Sequence, residues 1–185
     1  MGYGWEGELV RLVPIDIDKH LPNAQRWMND PDATRNLVAG DLPMTFAAQR
    51  EWLEQKSKQD EREVVFAIEL LSGEHIGFSS VHDINWKGGT ALTGSLIGDE
   101  GNRGKGYGTD AALIRNRYAF EVLGLRYLMT SVFEGNERSL KMLRKCGFVE
   151  CGRYPKKFWK RGRYVDDILL YITRDIWAEL EAGRR

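Results

Sequence analysis

The segment that most restricts the fold is the connection between TALTGSLIG (90–98) and LRYLMTSVF (125–133). Both runs read as strands, but a helix-length stretch, residues 100–124, separates them instead of a turn. A connection of that length lets two strands lie parallel, with a right-handed crossover between them. The other strand-like runs are joined by short turns and can only pair antiparallel. EVVFAIELL (63–71), the turn SGE and HIGFSSVHDI (75–84) make a hairpin, and NWKGG (85–89) turns the chain into residues 90–98. FVECGRYPKKFW (148–159), the turn KRGR and YVDDILLYIT (164–173) make another. GELVRLVPI (7–15) alternates as a further strand. The expected class is α/β (α+β): one mixed, mostly antiparallel sheet with a central parallel pair, flanked by helices.

Helix signals fill the gaps. Asp16 is placed to cap a helix through Trp27 and Met28, and Thr45 to cap one carrying Phe46, Gln49, Trp52 and Leu53. Residues 29–45 are rich in turn formers and read as a broken helix or a mobile loop. A helix of about four turns is expected from Tyr107 to Leu123, with Ala111, Ile114, Tyr118 and Val122 inward and Gly124 as its stop. Asn136 opens another, with Leu140, Leu143 and Cys146 inward and Gly147 closing it. A short amphipathic tail carries Trp177 and Leu180. There is no repeat and no linker, so residues 1–185 are expected to form a single domain.

Composition removes several function classes. Lys+Arg and Asp+Glu number 27 each, which argues against a general nucleic-acid binder; only residues 153–164 make a local basic patch. No apolar run approaches the roughly 20 residues of a membrane span. The start MGYGWEGELV lacks the apolar centre of a signal peptide, and Glu6 stands where a myristoylation motif needs Ser or Thr. Cys146 and Cys151 have no second pair and no nearby histidine, so a metal site is not expected. Reduced thiols fit a cytoplasmic protein.

Chemistry concentrates at the start of the crossover. Gly101, Gly104, Gly106 and Gly108 surround Arg103 and Lys105 just before a helix. Glycines let backbone N–H groups approach an anion, the helix start adds its positive end, and the cations add charge. A nucleotide P-loop fails by spacing, because its first glycine falls on Asp99 and its Ser/Thr on Gly106. A dinucleotide fingerprint fails because its third glycine falls on Thr109. A plain tight turn with solvated cations is the rival reading.

Arg103-x-x-Gly106-x-Gly108, between a strand and a helix, resembles the pyrophosphate-binding motif of the GNAT superfamily of acyl-CoA N-acyltransferases. SLIGDEGN resembles the family's fourth strand, and LRYLMTSVFEGNERSLKMLRKCGF its fifth strand and following helix, with Asn136, Ser139, Gly147 and Phe148 in the recurring pattern. RWMNDPDATRNL (26–37), QREWLEQ (49–55) and RYPKKFWKRGRYVDDILLYI (153–172) resemble the branch that acetylates ribosomal-protein N-termini, polyamines such as spermidine, or amino sugars. The resemblance implies acetyl-CoA as cosubstrate and no metal. It puts the phosphates at Arg103, Gly104, Lys105, Gly106, Tyr107, Gly108 and Thr109, and the pantetheine arm along Leu96, Ile97 and Gly98 and at Asn136.

The same resemblance implies direct attack of an amine on the thioester in a ternary complex. No Gly-x-Ser-x-Gly elbow is visible. A backbone N–H of Leu96, Ile97 or Gly98 is expected to receive the developing oxyanion. Leu143 occupies the position where many family members carry a tyrosine acid, which throws that role onto Ser139, whose alternative is a helix residue bonding backbone. Thiolate leaves tolerably near neutral pH even without an acid. Glu134, His82 and Asp83 are the candidate bases, alongside a water chain.

The acceptor is expected between residues 29–45 and the C-terminal hairpin: a protein N-terminus, an amino sugar or a polyamine. Trp86 and Trp159 fall beside turns, where aromatics contact ligands. KKFWKRGR (156–163) would favour an acidic acceptor unless it is only a solvated hairpin tip. Homodimers are common in the family, but no stretch singles out an interface. A transferase using a longer acyl-CoA, a non-catalytic acyl-CoA-binding regulator, and an unrelated phosphate-binding domain stay open.

Overall fold

The computed structural model describes residues 5–184; the Met1-Gly2 start lies outside them. The strands are β1 (Val10–Pro14), β2 (Val64–Leu70), β3 (His75–Asn85), β4 (Thr90–Ile97), β5 (Tyr127–Phe133), β6 (Val149–Lys160) and β7 (Arg163–Thr173). The helices are α1 (Ile17–Met28), α2 (Pro31–Thr34), α3 (Phe46–Lys56), α4 (Tyr107–Arg117), α5 (Glu137–Lys145) and α6 (Arg174–Arg184). All seven strands join one sheet in the order β1-β2-β3-β4-β5-β7-β6. Every neighbouring pair is antiparallel except β4 and β5. This is the mixed sheet expected from the crossover at residues 98–124.

Apolar alternation decides which face each helix covers. Val10, Leu12, Phe66 and Ile68 meet Ala111 and Ile114 of α4, while Leu128, Val132 and Ile168 meet Leu140 and Leu143 of α5 and Trp177 of α6. Phe78 points the opposite way, against Leu21, Ala24 and Leu53 of α1 and α3. The caps stand as expected: Asp16 accepts from Lys19 N–H and Thr45 from Ala48 N–H.

Two elements depart from the sequence reading, and a third decides between alternatives it left open. The helix expected to run unbroken to Leu123 ends at Arg117 and continues as a π-helical turn, Tyr118–Val122. Arg174 explains the wide turn: its guanidinium donates to the carbonyls of Phe120 and Leu125 and holds that end open. Residues 29–45 take the broken-helix form, because Asn29 pins Met44 through both its amide ends. The last hairpin turns on two residues, Arg161 and Gly162, not four, and both have positive φ (49° and 87°), the twist that suits a tight hairpin.

A buried polar cluster sits where α1 meets β2 and β3. Glu69 receives Arg11 at 2.8 Å, Lys19, and His20 Nε2 at 3.1 Å. Burial raises its pKa, but the hydrogen bonds of Lys19, Arg11 and His20 together bring it down to about 2. Asp16 N–H donates to His20 Nδ1, so His20 is neutral, with its proton on Nε2 toward Glu69. Burial pulls His20 below the ordinary 6.5 and, with the neighbouring His20, holds His75 at about 4.

Both histidines therefore resist protons that the unfolded chain accepts below pH 6.5. Stability is insensitive to them above that pH and falls as pH drops toward 4. The Glu69 contribution, fully present above 4.5, is then lost on the way to 2. Melting temperatures are expected to stay level from pH 7.5 to about 6.5 and to fall from there to pH 4, and His75→Phe to make that fall shallower. A melting temperature that stays level down to pH 5 would contradict this account.

Candidate active site

The sheet opens at its parallel pair. β4 and β5 are in register only from Thr90↔Tyr127 to Leu92↔Met129. Beyond that point β3 holds β4 as far as Ile97, and β7 holds β5 as far as Phe133. Each strand keeps its outer partner and loses its inner one. Two threonines close the fork: Thr130 Oγ1 donates to Thr93 O at 2.9 Å, and Thr93 Oγ1 to Met129 O at 3.3 Å. Past the fork lies a cleft of about 1190 Å³, lined by both strands, the glycine turn, the start of α5, residues 32–38, and part of β6 and β7.

The ladder register decides which backbone groups face that cleft. Gly98 N–H donates to Ile76 O at 3.0 Å, so Gly98 is removed from the three expected oxyanion donors. Antiparallel alternation sends Leu96 N–H toward β3 as well and leaves Ile97 N–H pointing into the gap. Gly98 has another reason to be glycine: a Cβ there would lie 2.0 Å from the Trp27 ring.

Gly104 and Gly106 have φ of 79° and 91°, values that side chains resist, and Gly106 opens α4 without a side-chain cap. The first helical bond runs from Asp110 N–H to Gly106 O. Among the described residues, no protein group accepts from the N–H of Tyr107, Gly108 or Thr109. Those three donors and the helix dipole converge on the cleft mouth, the arrangement of an anion site. Arg103 does not stand free at the rim as expected. Its guanidinium donates to Ile97 O at 3.1 Å, Gly98 O at 2.6 Å and Asp32 O at 3.2 Å, clamping the turn to β4 and α2. Lys105 is exposed.

Asn136 caps α5, its Oδ1 accepting from Ser139 N–H at 3.3 Å. That leaves its Nδ2 donors for the cleft, so the cap and a ligand contact are compatible. Ser139 lines the cleft too, and its hydroxyl bonds no protein group among the described residues, backbone included. Leu143 is buried beside it. Glu134 falls outside: its carboxylate is 43 % exposed and lies 3.8 Å from Arg153. Asp83 is exposed at the irregularity in β3 and Trp86 donates to Glu61 O at 2.7 Å; neither they nor Trp159 line the cleft. His82 does, with Nδ1 at 3.1 Å from Ser80 Oγ, and burial lowers its pKa so that it is a neutral base at pH 7.

At the far end the basic run is largely engaged. Lys160 binds both oxygens of Asp41, at 2.7 and 2.8 Å, and Arg161 donates to Pro31 O, so the hairpin grips residues 31–41 and closes that side. Two buried charges facing the cleft escaped the sequence reading. Arg115, 1 % exposed, bonds Ser95 Oγ at 2.9 Å, Gly94 O at 3.3 Å and Asn116 Oδ1 at 3.1 Å, with no carboxylate partner among the described residues. Burial brings its pKa down to about 10, and its charge beneath β4 favours an anionic occupant above. Asp167 is the other. The run RNR (115–117) inside an apolar helix was the available signal for the first.

A family model described as an acetyltransferase (GNAT) domain matches residues 10–149. A spermidine N(1)-acetyltransferase of Vibrio cholerae is 28% identical over 154 residues, covering 80% of this chain and 87% of its own length. An L-methionine sulfoximine/L-methionine sulfone acetyltransferase of Pseudomonas aeruginosa is 26% identical, covering 84% and 90%. The crystal structure of the Vibrio cholerae spermidine N-acetyltransferase with CoA and spermine superposes with a TM-score of 0.82 at 22% identity, over 91% of this chain and 98% of that one. A crystal structure of an acetyltransferase from T. thermophilus gives 0.73 at 29% identity, over 96% and 95%.

The threonine closure of the fork is directly testable. Thr130→Val keeps the shape but leaves the buried Thr93 carbonyl without its donor, and is expected to cost about 1–3 kcal/mol in urea denaturation. A cost below about 0.5 kcal/mol would mean that the fork does not depend on this bond.

Proposed function

The chain belongs to the GNAT acetyltransferase domain family, and from that premise we propose that it works as a single domain moving acetyl from acetyl-CoA to a small primary amine within a ternary complex. One observation carries the reading: unpaired backbone donors run in a line from Ile97 to Tyr107, Gly108 and Thr109 along one open cleft. Such a line suits a long ligand with a polar arm and a phosphate end. It does not suit a free phosphate, which would need only the helix start.

The residues divide the work. Tyr107, Gly108 and Thr109 N–H hold the pyrophosphate, with Gly104 and Gly106 giving them their direction, Arg103 fixing the turn, and Lys105 adding charge at the rim. The β4 edge at Leu96, Ile97 and Gly98 carries the pantetheine arm, and Asn136 Nδ2 donates to it. Ile97 N–H points where the thioester oxygen gains charge, so its hydrogen bond strengthens in the transition state. Ser139 Oγ–H donates a hydrogen bond to the departing sulfur and relays a solvent proton to it, so that CoA leaves as the thiol and the hydroxyl is restored. His82, neutral and half-buried, takes the proton that the attacking amine sheds. The related spermidine and methionine sulfoximine enzymes act on small amines by name, which supports a small amine over a protein N-terminus. No helix among the described residues is long and apolar enough to cross a membrane. The unpaired thiols of Cys146 and Cys151 suit a reducing, cytoplasmic setting.

Steady-state CoA release against a panel of amines tests the proposal. Ser139→Ala is expected to lower kcat at least about tenfold with little change in the KM for acetyl-CoA. An unchanged kcat removes Ser139 from the chemistry. Gly106→Val forces a β-branched residue to a φ of 91°, and is expected to abolish the rise in melting temperature that acetyl-CoA gives the parent protein. Acetyl-CoA binding without turnover of any amine would favour the acyl-CoA-binding regulator instead.

A further inference from the structure

At the β6–β7 end of the cleft a lysine ammonium is held by a carboxylate and two aromatic rings. β6 and β7 pair at Tyr154↔Asp167 and again at Phe158↔Val165, so β6 carries a bulge between them. Lys156 has φ of 49° there and donates its N–H to Asp166 Oδ1 at 2.8 Å. The bulge turns the next side chain, Lys157, back along the sheet. Its Nζ lies 2.6 Å from Asp167 Oδ2, 4.7 Å from the centre of the Tyr154 ring and 4.8 Å from that of Phe158. A carboxylate and two aromatic faces around one –NH3+ form a recognition site for alkylammonium.

The two partners are unequal. The Asp167 side chain is 1 % exposed, and its Oδ1 is buried without a partner. The Lys157 side chain is 41 % exposed, on a flexible stem with a path to solvent. A buried carboxylate cannot be left unpaired. A visiting ammonium replaces Lys157 charge for charge, so the exchange leaves Asp167 paired throughout. Tyr154, Lys157 and Asp167 all line the cleft that carries the donors of β4 and α4. The neighbouring cations have partners of their own: Lys160 with Asp41 and Arg153 with Asp166.

We propose that Asp167, Tyr154 and Phe158 form an alkylammonium subsite, blocked by Lys157 in the free protein, that the acceptor's distal ammonium takes over. The lysine side chain is itself the template: four methylenes ending in –NH3+. The acceptor class is therefore an unbranched aliphatic diamine or longer polyamine, with one ammonium anchored at Asp167 and the other nitrogen presented to the thioester. This assignment rests on the amine-acetyltransfer reading, but the subsite can be read without any acyl donor.

The direct probe is calorimetric titration of 1,4-diaminobutane into the protein with no CoA species present. Lys157→Ala is expected to bind it at least about tenfold more tightly than the parent chain, as removal of a tethered competitor requires. Lys157→Arg keeps the blocking cation and is expected to bind no better than the parent. Adding Asp167→Asn to Lys157→Ala is expected to abolish the gain; far-ultraviolet circular dichroism and a cooperative melt establish that this variant is folded. Equal or weaker binding by Lys157→Ala overturns the subsite whatever the enzyme acetylates. If the subsite binds but another small amine is turned over and no diamine is, the diamine assignment fails; if no amine at all is turned over, the acetyltransfer reading fails and the subsite stands. In turnover, the kcat/KM ratio of 1,4-diaminobutane to n-butylamine is expected to rise in Lys157→Ala.

Discussion

Everything distinctive about the cleft follows from the parallel pairing of β4 and β5. A helix-length crossover makes those strands parallel, and their outer neighbours then hold them in directions that the inner pairing cannot follow. They stay together for three residue pairs and part. The price of parting is unpaired backbone in the middle of a sheet, which a globular protein tolerates only where something else supplies partners. Thr93 and Thr130 supply them at the fork. Beyond it the donors are left for a ligand. The same crossover delivers the uncapped start of α4 to the mouth of the gap, so strand edge and helix end offer donors to one occupant.

The charges are arranged to match. At one end the α4 N–H groups and Arg115, buried and bonded to neutral groups, favour anionic groups. At the other, buried Asp167 is paired with Lys157 and favours a cation. An anionic donor and a cationic acceptor would each be drawn to its own end, and a bimolecular reaction needs that orientation. The binding energy of each substrate then serves to hold it in position for direct attack. Glu134, ion-paired to Arg153 in solvent, takes no part in this polarity.

Much of the architecture was legible in the residues, because hydrophobic period, turn chemistry and caps are local. Asp16, Thr45 and Asn136 cap as their sequence positions suggest, and the Gly104 and Gly106 conformations are the ones a tight basic turn needs. What the residues could not reveal depends on partners far along the chain. Whether Ile97 or Gly98 donates into the cleft is set by the β3 register, one step of which reverses the answer. The guanidinium of Arg103 reads as free charge until α2 and the β4 end are seen beside it. Asp167 and Lys157 are ten residues apart on two strands, and only the bulge in β6 brings them together. The π-helical turn has the same origin, since Arg174 acts across the chain.

The central claim is that the unpaired donors of β4 and α4 hold one ligand, and amide resonances report on it residue by residue. Titration of the 15N-labelled protein with acetyl-CoA is the measurement that tests it most directly. The account predicts the largest amide shifts at Ile97, Tyr107, Gly108 and Thr109. Gly98, already bonded to Ile76, is predicted to keep its slow hydrogen exchange. Shifts confined to other surfaces, or movement at the α4 start with none at Ile97, would contradict it and reduce the glycine turn to a simple phosphate site.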